Sequence, residues 1–229
     1  MIEKGIGTHL ALKCPTRIKN MIELDTDLQL LSDKQDHDII PLISEEDEKA
    51  IHNSDLPETL PLLALRNTVL FPGVVIPITV GRDRSIRLIK EANKKKLAIG
   101  VVSQKDSDVE VPLGDDLNKL GTVAKIMKML RMPDGTNTVI LRGERRFSWD
   151  EIIQEEPYLK ANVKPFGGIE EVPNTKETQA LKESLKELAI EIITMSPGIP
   201  SEAAGAIKNI KRLSFLVNFI GSNMNASVE

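Results

Sequence analysis

Three regimes of polar and apolar patterning follow one another along the chain. Residues 1–57 mix short apolar patches (Leu28, Leu30, Leu31; Ile39, Ile40, Leu42, Ile43) with frequent acids and hold no sustained period of two or of 3.6. A segment of this kind cannot bury enough apolar surface to offset its ordering entropy, so it reads as a disordered acidic arm. Pro57 and Pro61 bracket the entry to the next regime. Leu60–Leu65 is a short apolar run suited to a buried strand, and Asn67–Gly73 carries turn signals, Pro72-Gly73 above all. Val74–Val80 is rich in β-branched residues; Pro77 within it lacks an N–H and calls for an edge position or a bulge. Arg82–Lys95 switches to helical spacing, with Ile86, Ile89 and Ala92/Asn93 on one face and basic residues opposite. Leu97–Val102 and Leu159–Pro165 read as further strands.

Thr122–Met132 and Thr138–Arg142 flank Pro133-Asp134-Gly135-Thr136, a hairpin signal because Asp-Gly supplies the positive-φ positions of a tight turn. Strict alternation puts Ala124, Ile126, Leu130 and Met132 on one side of the first strand, and Val123, Met127 and Met129 on the other. Neither side is uniformly polar, which suits a closed barrel covered on both faces better than an open sheet. The third regime begins after Gly167-Gly168 and Pro173. Asn174 with Glu177 forms a candidate N-cap pair. Leu181, Leu185, Leu188, Ile192 and Met195 recur at alternating steps of four and three, an a/d-like stripe. Ser196-Pro197-Gly198 stops that helix and Ser201 caps a second, which carries Ile207, Ile210, Leu213, Val217 and Ile220 on one face and Phe215, Leu216 and Phe219 elsewhere. Two helices cannot bury all of these, so the barrel or further helices must cover them. The expected fold is α+β: the arm (1–57), a barrel (58–168), then a helical region (169–229) that begins a bundle.

Aromatics make up only 3% of the 229 residues, so the core must be built from Leu, Ile, Val and Met. The single cysteine, Cys14, cannot form an internal disulfide, which points to a reducing compartment. No apolar run approaches the ~18–20 residues that span a bilayer, and the first residues lack a signal-peptide core. The expected location is the cytoplasm. The formal charge of −4 is uneven: Glu23–Glu58 holds twelve acids against Lys34 and Lys49, a net −10, and leaves residues 59–229 mildly positive. A mild excess spread along a domain is not a nucleic-acid footprint, which needs a clustered Lys/Arg face.

The chemistry sought is not found. There is no Gly-Lys pair for a phosphate loop, and Gly5-x-Gly7 meets Leu10 where a dinucleotide fingerprint needs glycine. His9, His37 and His52 all lie in the arm without metal-ligand spacing, and Cys14 has no activating neighbours. Glu45–Glu48 and Glu170-Glu171 read as solvated faces, and Asn225-Ala226-Ser227 is a sequon without use in the cytoplasm. No catalytic, cofactor-binding or metal-binding residue is assigned. Arg145-Arg146 beside Phe147 and Trp149 admits two readings: a nucleic-acid contact through stacking, or a strand with both aromatics inward and Arg145 in solvent.

Several motifs in order carry a family resemblance. Leu65–Asn67 with Phe71–Gly73 reads L-R-N…F-P-G, Ile76–Arg82 reads I-P-I-T-V-G-R, Pro133–Thr136 reads P-D-G-T, and Gly143–Arg146 reads G-x-x-R. Together they resemble the amino-terminal domain of Lon, the ATP-dependent serine protease of protein quality control. Ala64 stands where that family usually has Pro, and Asn67 where Asp is common. The resemblance runs from Leu60 to the end and leaves the arm unmatched. It implies a PUA-like β-barrel followed by helices, upstream of an AAA+ ATPase module and a Ser–Lys protease domain. It also implies a homo-hexameric parent, with ATP and Mg needed only there. No ATPase or protease residue has a counterpart here, and the end within an apolar helix favours an excised fragment over a free-standing relative.

The expectation is thus a non-catalytic domain that selects unfolded or damaged proteins, without membrane or nucleic-acid partners. Recognising what unfolding exposes calls for accessible apolar patches with adaptable side chains. The candidates are Phe71 and Pro72 in the turn and Met127, Met129 and Met132 on the strand, with Phe215, Leu216 and Phe219 as a possible interaction helix. An RNA-binding PUA-type module is the rival reading, since fold alone does not settle function; an independent small enzyme is a distant third.

Overall fold

The computed structural model describes residues 56–131, 136–167, 173–195 and 202–223. The arm, apart from its last two residues, lies outside them, as do Met132–Gly135 of the expected hairpin turn and the Ser196–Ser201 helix stop. Six strands form one mixed sheet: β1 (Thr59–Leu65), β2 (Val75–Val80), β3 (Ile99–Gln104), β4 (Leu117–Arg131), β5 (Asn137–Gln154) and β6 (Lys160–Pro165). Their order is β2-β5-β4-β3-β1-β6, and β6 also pairs with β5. β1 and β3 run parallel, joined through β2 and helix α1 (Asp83–Lys95), while every other pair is antiparallel. β5 is long enough to pair twice, with β2 along Asn137–Arg142 and with β6 along Phe147–Gln154. β2 sits at the edge with Pro77 in it, where a missing donor costs no ladder bond to a second neighbour.

Both faces of the sheet are buried. Leu63, Leu65, Val101, Val139 and Leu141 pack with Leu88, Ile89 and Ala92 of α1. The alternate residues Leu60 and Leu62 join Leu117, Val123, Phe147 and Trp149 in a second cluster. Phe147 fits there because Gly100 and Gly121 have no side chain; a Cβ on either would lie 2.7 Å from the ring Cζ. Complete burial of such a ring contributes roughly 2–3 kcal/mol. Phe147 and Trp149 therefore point inward, as one of the two sequence readings had it, but the exposed arginine is Arg146, with Arg145 half-buried.

Several expectations need correction. β3 starts two residues late: Lys96 adopts left-handed geometry (φ 55°) to end α1, and Leu97 stays exposed. β4 begins at Leu117, ahead of Thr122, and β5 continues to Gln154, well past Arg142. Register shifts at Thr122/Ala124 and Ile126/Lys128 break the alternation of β4. An extra residue reverses the parity beyond it, so Ile126 and Met129 both pack against the α1 cluster while Met127 faces solvent. Three helices follow: α2 (Lys176–Met195), α3 (Glu202–Asn209) and α4 (Leu213–Asn223). The N-cap of α2 is Thr175, one residue beyond Asn174. The Thr178 N–H donates to Thr175 Oγ1 (3.2 Å) and the Thr175 N–H to Thr178 Oγ1 (2.9 Å), a reciprocal box that Asn174 and Glu177 do not make. The expected second helix is broken at Ile210–Arg212. That break lets Ile207 and Ile210 face the same cluster as Phe215, Leu216 and Phe219, which no single straight helix could aim together.

Candidate functional site

The first candidate group is the turn at Phe71–Gly73. Gly73 takes φ 81°, a region that favours glycine. Its N–H donates to the Gly143 carbonyl (3.0 Å), and the Gly143 N–H returns a bond to the Val74 carbonyl (2.9 Å). Thr122 Oγ1 holds the Leu70 carbonyl at 2.6 Å in a buried position. The turn lies flat on β5 because residue 143 is glycine; a Cβ there would stand 2.3 Å from the Phe71 carbonyl oxygen. The other side of the turn meets the helices. Phe71 and Val74 join the cluster of Ala189, Ile193, Ile207, Ile210, Phe215, Leu216 and Phe219, and the Phe71 ring closes on Gly221 of α4. Asn218 clamps this seam: its Nδ2 donates to the Pro72 carbonyl (3.0 Å), and its Oδ1 accepts from Arg146 (3.2 Å).

The sequence candidates therefore separate. Phe71 and Pro72 are half-buried in the seam between sheet and helices. Phe215, Leu216 and Phe219 are buried in that same seam, covered by Phe71, Val74 and the neighbouring helices. Met129 packs inward, Met127 is 51% exposed, and Met132 lies outside the described residues. The motif Arg82 is likewise structural: its guanidinium donates to Gln104 Oε1 (2.6 Å) and to the Val109 carbonyl (3.2 Å), tying α1 to the loop after β3. Burial and the nearby Arg66 push its pKa down.

What the seam leaves open is one side of α2. The helix turns Ala189 and Ile193 inward and presents Leu181 (54% exposed), Leu188 (56%), Ile192 (54%) and Met195 (68%) outward. These four are the outer members of the a/d-like stripe; only Leu185 of that stripe packs inward. Charges are sorted about the same helix. Lys182 and Lys186 turn toward the other helices and donate to the Lys211 (3.3 Å) and Lys208 (3.1 Å) carbonyls. Glu177, Glu187 and Glu191 remain exposed. Four large apolar side chains in one row, each more than half exposed, form a contiguous apolar face rather than the scatter normal for a soluble protein. Among the described residues no group of His, Cys, Asp and Glu could hold a metal, and no helix is long and apolar enough to cross a membrane.

The family model for the ATP-dependent protease La (LON) substrate-binding domain matches residues 59–229. The chain is 55% identical over 192 residues to the Lon protease of Flavobacterium johnsoniae, covering 84% of this chain and 24% of the relative. It is 46% identical over 197 residues to that of Cytophaga hutchinsonii, covering 86% and 24%. The chain thus spans about a quarter of the length of the curated relatives it matches. Its fold resembles the N-terminal domain of the Mycobacterium avium complex Lon protease, with a TM-score of 0.58 at 22% identity over 74% of this chain and 84% of that one. This chain belongs to the Lon substrate-binding domain family.

Proposed function

We propose that the chain recognises unfolded or damaged proteins for a Lon-type ATP-dependent protease, with the outward face of α2 as its contact surface. The observation that carries the reading is the row Leu181, Leu188, Ile192 and Met195, exposed on a helix whose other side packs into the cluster shared with α3 and α4. Apolar contact without a deep pocket tolerates many sequences, which selection of damaged proteins requires. Met127, exposed on β4, offers a second adaptable contact. The domain itself is non-catalytic and cytoplasmic in this reading, and ATP, Mg and proteolysis belong to the parent. β6 pairing with both β1 and β5 supports the PUA-like barrel description. Each contact should be weak, with Kd of ~10 µM to 1 mM, and six copies in a hexameric parent would raise avidity through effective concentration. The RNA-module alternative draws support from cations clustered on α1, but Phe147, Trp149 and Tyr158 are buried and offer bases no stacking platform there.

The test is binding of a permanently unfolded model protein to the wild-type chain and to Leu188→Ser/Ile192→Ser. Both positions are already solvated, so the double variant should keep its fold. A drop in affinity of about tenfold is expected, corresponding to ~1.4 kcal/mol. Unchanged binding by a folded double variant removes α2 as the contact surface. Retention of RNA by the chain in ~150 mM salt would favour the rival module.

A further inference from the structure

Helix α1 gathers on its outer side most of the positive excess that the sequence spreads thinly. Arg84, Arg87, Lys90, Lys94, Lys95 and the capping Lys96 stand against only Asp83 and Glu91. Two of these cations are matched, Arg84 with Glu156 and Lys95 with Glu91. The side chains of Arg87, Lys90, Lys94 and Lys96 are exposed and make no ion pair or hydrogen bond among the described residues. Positions 87, 90 and 94 share one helix face by their spacing of three and four. The outcome is a stripe of unmatched cations from Arg87 to Lys96, about 14 Å long at 1.5 Å per residue.

The same chain carries the complementary charge, and the topology sets the entry to β1 near one end of the stripe. β1 and β3 run parallel with Leu62 beside Gly100, which sets Pro61 next to Ile99. α1 passes into β3 through Lys96 and Leu97, so Lys94–Lys96 stand at the end of the sheet where the chain enters β1. The acidic segment is tethered at that end. The run Glu45-Glu46-Asp47-Glu48 lies about ten residues before Leu56, a reach of up to ~35 Å, enough to span the whole stripe. A tether of this length gives an effective concentration in the millimolar range.

We propose that the acidic segment 23–55 docks in cis on the basic outer face of α1, with Glu45–Glu48 opposite Arg87, Lys90 and Lys94. The occupant is this segment because it holds eleven acids against two lysines and is joined covalently to the chain just before β1. Binding is electrostatic and sequence-tolerant, and it withholds the cations from other polyanions. It does not involve the α2 face, so it stands or falls separately from the substrate-contact reading.

The test uses the whole chain with Cys14→Ser and Ser44→Cys, a nitroxide on the introduced thiol, and nitrogen-15 labelling. At low salt the amides of Arg87–Leu97 should broaden at least twofold more than those of the edge strand β2. The difference should vanish in ~1 M NaCl, where the Debye length falls to about 3 Å, and in the surface variant Arg87→Gln/Lys90→Gln/Lys94→Gln. Equal broadening across the sheet, or broadening that survives both treatments, overturns the proposal. Broadening that also appears when spin-labelled, nitrogen-14 chains are mixed with nitrogen-15 chains carrying no nitroxide overturns it too, because the arm of a second copy would then be the occupant.

Discussion

Replacing Gly143 by alanine puts one methyl group where the sheet and the helices depend on close approach. The new Cβ would lie 2.3 Å from the Phe71 carbonyl oxygen, 3.0 Å from its carbon and 3.2 Å from Leu70 Cγ. Two of these are backbone atoms, so no rotamer change relieves the clash and the turn must lift by roughly 1 Å. Lifting it strains the two bonds between the turn and Gly143 (3.0 and 2.9 Å) and pulls on the Thr122 hydroxyl bond to Leu70. Overpacking of this kind costs about 1–3 kcal/mol, and each weakened hydrogen bond adds up to about 1 kcal/mol. Lower entropy of the unfolded chain returns about 0.4–1 kcal/mol. The net expectation is a loss of about 2–4 kcal/mol. Because Phe71 and Val74 also anchor the helical cluster, the loss should be uneven. Urea unfolding followed by Trp149 fluorescence reads the sheet, where that sole tryptophan is buried. Far-UV circular dichroism at the helical minimum reads α1–α4. The variant should lower both midpoints, and the helical signal should fall first. Gly81→Ala, with nothing within 4 Å of its Cβ, is the matched control. A Gly143→Ala protein within about 0.5 kcal/mol of wild type, with coincident curves, would refute the account of the turn.

Two further outcomes follow from local chemistry. Burial first, and then the Glu91 carboxylate, push the Tyr158 phenol up to about 12; its unfolded value lies near 10. A raised folded value favours the protonated form, so its stabilising contribution is complete below about pH 10 and is lost as pH climbs to about 12. Tyr158→Phe should flatten this part of the urea-midpoint profile, and an unchanged alkaline slope would count against it. Thr175→Ala should cost α2 about 1 kcal/mol of capping and lower helical dichroism on warming, whereas Asn174→Ala should do neither.

Much of the strand and helix order is legible in the chain itself. Pro77 marks the sheet edge, the β-branched run around it forms β2, and the spacing of Ile86, Ile89 and Ala92 aims α1. What escapes the pattern has physical causes. Bulges in β4 depend on the register with β5, so Met127 and Met129 read as neighbours on one face until the partner strand is known. The α2 stripe reads as a buried seam because large residues dominate periodicity. The helix instead packs through Ala189 and Ile193, each one position past a stripe residue, since a small alanine lets the short helices approach. The exposed face of α2 is therefore the patterned one. Phe71 and Phe215 look like candidate contacts for a related reason: apolar residues in a polar-looking turn and on an over-rich helix do not say which of them meet each other.

The double pairing of β6 sets an order of events during synthesis. β1 emerges early, but its outer neighbour, β6, ends at Pro165, about a hundred residues later. At 5–20 residues per second, one edge of β1 waits roughly 5–20 s for its partner. The β4–β5 hairpin, by contrast, can close within microseconds of leaving the ribosome. The hairpin is the natural template on which β2, β3 and then β1 assemble, and β6 seals the edge last. Until then Leu60 and Leu62 have an incomplete cover. A nascent chain stalled before Pro165 would present that edge, which makes this interval the time when the domain most needs a chaperone.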